Sequence, residues 1–174
     1  MDIRELVGQV MNKSVTEYLS EVSEGLIQIP RLYPPATAGQ LVALEQRAGQ
    51  SLEPHYRSFL LLTDGMDGFH LDMPLFGCHD WDEGERAVDG LAFLEGVRED
   101  GTAEDVGLPL DVGLFPVSVD ADRCRAIFML ERPEVLPERF WWVGEGSSSF
   151  FGNFADLLGY AIDSSSYSPR EEVN

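Results

Sequence analysis

The stretch Leu52-Glu53-Pro54-His55-Tyr56-Arg57-Ser58-Phe59-Leu60, followed after two leucines by Thr63-Asp64-Gly65, decides the fold. Pro54 suits the first turn of a helix, where its missing N–H is no loss. Tyr56, Phe59, Leu60 and Thr63 recur at helical spacing and share one face. Asp64-Gly65 closes that helix, because Gly65 is free to take a positive φ. Beyond Gly65 the period changes. Phe69, Leu71, Met73 and Leu75 alternate with polar residues or proline, which is the period of a strand.

Working upstream, Thr37 with Gln40 three residues on is a capping box. Leu41, Leu44, Glu45 and Ala48 then make a short amphipathic helix that Gly49 stops. The stretch Pro30-Arg31-Leu32-Tyr33-Pro34-Pro35 is incompatible with helix and reads as an extended connector. Ile3, Leu6, Val7 and Val10 form a helical face. Ser14 with Glu17 offers a second helix start, and Val15, Leu19 and Val22 continue from it. One helix with a break, or two short helices, is expected up to about Glu24, ended by Gly25.

Downstream, residues 114–119 and 124–130 are apolar runs flanking Asp120-Ala121-Asp122-Arg123, a hairpin signal. Phe140-Trp141-Trp142-Val143 predicts a further strand ended by Gly144. Between Glu83 and Asp111, Val88, Leu91, Ala92 and Leu94 suggest one helical face, weakened by Gly90. Asn153 caps a last helix with Phe154, Leu157, Leu158 and Ala161 inside it. Residues 164–174 are polar and expected to fray. Helices, then strands, then a helix predict a single α+β domain. Its expected centre is a mainly antiparallel sheet of about four to six strands flanked by helices. The expected division is a helical arm with its Pro-rich connector over 1–35, the domain proper over 36–163, and the tail.

With 174 residues the chain is about one domain, and 44% apolar residues with ten Phe and three Trp can build its core. It carries 12 bases and 31 acids, a net charge of −19. Lys13 is its one lysine. Nucleic-acid binding by counterion release and polybasic membrane binding both need the opposite surplus. The charge is uneven. Residues 1–63 carry a net −2, residues 112–174 a net −5, and residues 64–111 carry fourteen acids against Arg86 and Arg98, a net −12. The opening Met1-Asp2-Ile3-Arg4-Glu5 has neither a basic nor an apolar leader pattern, and two cysteines make no disulfide framework. A cytoplasmic protein with reduced thiols is expected.

Catalytic patterns are weak. Asp80, Asp82, Glu83 and Glu85 surround Trp81, and a hydrolase would need two such carboxylates at a defined separation, one with a raised pKa. His70, Cys78, His79 and Cys124 lack the paired short spacings of a structural zinc site. The adjacent Cys78 and His79 would point apart in a strand, and Cys124 reads as a small core residue at the head of one. No nucleophile elbow and no Gly-rich phosphate loop occurs, and Gly144-Glu145-Gly146-Ser147 reads most simply as a turn. No metal or other cofactor is expected.

The ordered series of motifs resembles the SUKH superfamily, which includes fungal cell-wall-assembly regulators and many bacterial toxin-immunity proteins. Leu44, Glu45 and Gly49 match its first helix, and residues 52–60 with Thr63-Asp64-Gly65 match its central helix and turn. Leu75-Phe76-Gly77 and Leu114-Phe115-Pro116-Val117 are similar to its next elements, and Phe154 and Leu157 to its closing helix. The proline falls one position late, and Asp64-Gly65-Met66-Asp67-Gly68 replaces the family's Asn-Gly-Gly turn. The resemblance spans about residues 37–163. It implies an α+β fold and a non-enzymatic protein that neutralises a cognate toxin, a nuclease or similar, by protein–protein binding.

Joined to the charge distribution, it predicts a basic protein partner held by Asp64, Asp67, Asp72, Asp80, Asp82, Glu83 and Glu85, with Trp81 as aromatic anchor. Trp81 is equally readable as a core residue. Two other classes stay open: a scaffold or regulator of a non-toxin partner, as the fungal relatives suggest, and a hydrolase built on the acidic cluster.

Overall fold

The computed structural model describes residues 2–21, 28–131 and 137–173. In chain order the elements are α1 (Ile3–Glu21), β1 (Arg31–Leu32), α2 (Ala38–Ala48), α3 (Pro54–Leu62), β2 (Met66–His70) and β3 (Met73–Leu75). Then come α4 (Cys78–Glu83), α5 (Glu85–Glu99), α6 (Thr102–Asp105), β4 (Leu114–Val119), β5 (Arg125–Leu130), β6 (Phe140–Gly144), β7 (Ser147–Phe151) and α7 (Phe154–Ile162). This is a single α+β domain with two antiparallel sheets, ordered β1-β2-β3 and β4-β5-β6-β7.

The sheets meet at a seam. The β4–β5 register shifts between Pro116 and Ser118, leaving Val117 out of the pairing. Its carbonyl accepts instead from the Phe76 N–H (2.8 Å), and Ser118 Oγ donates to the Pro74 carbonyl (2.6 Å). Pro116 has no N–H to give a ladder, and a bulge is where a sheet tolerates that. Gly65 sits at the same seam with φ 96°. A Cβ there would strike the Leu75 carbonyl and the Gly77 N–H.

The helix from Pro54 forms as its spacing predicts. Tyr56, Phe59 and Leu60 are buried, and Tyr56 packs with Phe59, Phe140 and Phe154 at ring separations of 5.1–6.2 Å. Its N-terminus is capped by Glu53, which is buried. Glu53 accepts from the His55 and Tyr56 N–H groups (both 3.0 Å) and from the Phe154 N–H (3.3 Å). One carboxylate thus satisfies orphan donors of α3 and α7 together.

Several expectations are corrected. Helix α1 is unbroken over its described length. Ser14 is not a cap but buried, its Oγ donating to the Phe69 carbonyl (3.4 Å). The expected stop at Glu24 and Gly25, with Val22, lies outside the described residues. Nor is α1 an arm, since Leu6, Val7 and Val10 belong to the common core. The run from Phe69 to Leu75 is not one strand but a hairpin, turning where Leu71 takes φ 56°. Ser147-Ser148-Ser149 carries no apolar alternation, yet forms β7 through its pairing with β6. Cys124 precedes β5 and is exposed. The tail does not fray over 167–173. Phe150 N–H donates to the Arg170 carbonyl, Arg170 pairs with the buried Glu138 (3.0 Å), and Val173 N–H donates to the Val106 carbonyl.

Candidate functional site

The acidic residues singled out by the sequence divide into an inward and an outward set. Asp64, Asp67 and Asp80 are buried. Asp64 follows α3 and caps the next helix from a distance. Its Oδ1 accepts from the Cys78 N–H (2.5 Å), and its Oδ2 from the His79 N–H (3.2 Å) and faces His79 Nδ1 (3.0 Å). Cys78 and His79 are therefore the first turn of α4, not a strand. Asp80 reaches back to the Gly77 N–H (2.8 Å). Its Oδ2 lies 3.5 Å from His79 Nε2, and Arg86 lies 3.4 Å from its Oδ1. Asp67, on β2, accepts from the Tyr33 hydroxyl (2.7 Å) and pairs with Arg86 at 2.8 Å, a charge contact off hydrogen-bond alignment.

These groups knit the connector, β2, α4 and α5 together. Burial pushes Asp80 above the ordinary carboxylate pKa, while the Gly77 N–H, the neighbouring His79 and the Arg86 guanidinium pull it back. Burial works to lower Arg86, but Asp67 and Asp80 outweigh it and hold the guanidinium above its usual value. Burial also raises Tyr33, reinforced by its hydrogen bond to Asp67. The Cys78 thiol is pushed up to about 12, first by burial and then by the Asp64 charge, the reverse of what a nucleophile needs. These carboxylates are therefore committed to the fold, through hydrogen bonds at Asp64 and Asp80 and through the Tyr33 hydrogen bond and the Arg86 ion pair at Asp67.

The outward set is smaller. Asp82 and Glu85 are exposed at the junction of α4 and α5. The side chain of Glu83 lies outside what the structure describes. Asp72 is half-buried in the β2–β3 turn, beside His70 and Arg125, and does not join them. Trp81 is 7% exposed and stacks on Phe115 at 4.4 Å, so its ring belongs to the core. Its Nε1–H is buried with no acceptor among the described residues.

No protein-family model matches the chain, and no curated protein matches it in sequence.

Sequence reasoning missed the apolar part of this surface. Helix α5 turns Ala87, Gly90, Leu94 and Val97 inward. Val88 (64% exposed) and Leu91 (49%) face out, so they do not share the face of Leu94 as the spacing suggested. The true face was hidden because two of its members are small. Gly90 is there for packing: a Cβ would lie 2.9 Å from the Pro116 ring and 3.2 Å from Phe76. Val88, Leu91 and Ala87, with Trp81 and with Arg47, whose guanidinium lies 6.0 Å over Trp81, border a hollow of about 410 Å³ with Asp82 and Glu85 on its rim. Two exposed apolar side chains one turn apart, above an aromatic wall, form an apolar centre whose edge carries two carboxylates against the one Arg47 guanidinium. Asp80 lines neither this hollow nor the smaller one beside it, which Arg47, Cys78 and Trp81 share.

Proposed function

We propose that this is a non-enzymatic binding protein of the immunity type, which neutralises a cognate toxin by covering a basic surface on it. The carrying observation is the α4–α5 face, where Val88 and Leu91 stand exposed beside Asp82 and Glu85. Apolar residues supply affinity at the centre of an interface, and a surplus of one charge at the rim, here Asp82 and Glu85 over Arg47, steers an oppositely charged partner onto it. The SUKH resemblance supports the same reading and gives the partner its class. The inward use of Asp64, Asp67 and Asp80 weighs against a hydrolase at the acidic cluster. Free thiols at Cys78 and Cys124 suit a reducing cytoplasm. The binding set therefore centres on Asp82, Glu85, Val88 and Leu91, with Trp81 as wall rather than anchor.

The test is a pull-down with the product of the open reading frame adjacent to this protein's gene. Asp82→Lys with Glu85→Lys is expected to weaken binding about tenfold or more and to flatten its salt dependence. Val88→Ser with Leu91→Ser is expected to raise the dissociation rate. Unchanged affinity in both variants overturns the proposal.

A further inference from the structure

The other flank of α5 borders a larger hollow, a cleft of about 600 Å³ between α5–α6 and the turns that follow β4 and β6. Its apolar wall includes Phe93, Val97, Val106 and Val143. Four charged side chains besides these line it. Two are neutralised in place: Arg123 pairs with Asp89 (2.5 Å), and Glu145 pairs with Arg125 (2.9 Å). The other two, Asp100 and Asp105, make no side-chain hydrogen bond or ion pair among the described residues. The net field at the rim is therefore negative, over an apolar wall.

We propose that this cleft is a docking groove for a basic segment of a protein partner, which seats an aliphatic or aromatic side chain on Phe93 and Val106 and brings its Lys or Arg to Asp100 and Asp105. Charge complementarity selects this occupant. A neutral apolar ligand leaves the two carboxylates unused. A second copy of this chain brings one −19 body against another. The groove lies apart from Asp82 and Glu85, so it stands or falls separately from the α4–α5 face.

Cys124 lines the cleft and is exposed, whereas Cys78 is buried, so the intact protein carries its own reporter. The measurement is the rate at which iodoacetamide alkylates Cys124 at pH 8. The probe is the amidated peptide Lys-Leu-Phe-Lys-Leu-Lys, beside a twin with Gln at each Lys. The Lys peptide is expected to slow alkylation about fivefold or more, with the protection lost in about 0.5 M NaCl, and the Gln twin less than about twofold.

Gly96 allows a plug that respects the fold. It lines the cleft from within α5, and a Cβ there meets nothing within 4 Å. Gly96→Leu, and separately Asp100→Lys with Asp105→Lys, are expected to abolish protection with an unchanged far-UV CD spectrum. Asp82→Lys with Glu85→Lys is expected to retain it. No slowing by the Lys peptide overturns the proposal. So does equal protection by the Gln twin, which marks a plain apolar pocket, or protection that grows with protein concentration alone, which marks self-association. Protection that survives Gly96→Leu, or is lost in the Asp82/Glu85 variant, places the peptide elsewhere and overturns it as well.

Discussion

Glu53 is one side chain on which two helices start. Removing it orphans buried N–H groups at both α3 and α7. Glu53→Ala is expected to lower unfolding free energy by about 2–4 kcal/mol, and Glu53→Gln, which keeps an acceptor, by about half as much, read by urea denaturation. His70 gives a pH signature. Burial, helped by the Lys13 and Arg125 charges, holds its pKa down to about 4, while Asp72 acts the other way. Above pH 6.5 it is neutral whether folded or not. As pH falls from 6.5 to 4, the unfolded chain takes up the proton first, so stability declines through that window. The difference in stability between the wild type and His70→Gln is expected to change by about 2–3 kcal/mol across it. A difference independent of pH would refute this. Residue identities such as Pro54 and Gly65 were legible because each has a local physical reason. The role of Glu53 was half legible: its place before Pro54 marks a cap, but its bond to Phe154 depends on a packing 101 residues away.

At the scale of elements, amphipathic helices and apolar strands were readable. Elements defined by their neighbours were not. Ser147-Ser148-Ser149 becomes β7 through its pairing with β6, and α4 exists because Asp64 caps it from outside. The same limit governs the site. Asp82 and Asp80 look alike in sequence, and only the turn of a six-residue helix sends one to solvent and the other to Arg86. The tail illustrates a further dependence. Gly159 of α7 is small where the Tyr167 hydroxyl comes against it, so a Cβ there displaces a flexible side-chain tip rather than backbone. Gly159→Ala is expected to loosen the tail and accelerate tryptic cleavage after Arg170, with global stability changed by less than about 1 kcal/mol. An unchanged cleavage rate would show that Tyr167 does not hold the tail.

Over the whole molecule, the acids of residues 64–111 whose side chains are described divide by burial. Three are buried, and Asp72 and Asp89 are half-buried. Eight are exposed, and these follow α4, α5, α6 and the loop beyond: Asp82, Glu85, Glu95, Glu99, Asp100, Glu104, Asp105 and Asp111. The exposed set repels itself, so NaCl up to about 0.5 M is expected to raise the melting temperature by screening it. A fall in melting temperature would contradict that.

The seam between the sheets gives this surface a particular freedom. The chain leaves β3 at Gly77 and returns on β4, and the Phe76–Val117 and Ser118–Pro74 hydrogen bonds hold those two strands side by side. The helices between them are thus an excursion whose ends are already neighbours. Its inward side chains (Ala87, Gly90, Leu94 and Val97) and the ion pairs of Arg86 and Asp89 fasten it, while Asp82, Glu85, Val88 and Leu91 are exposed and make no side-chain hydrogen bond or ion pair among the described residues. The same scaffold can therefore be re-addressed to a different partner by rewriting positions 82, 85, 88 and 91, with the strand register left as it is.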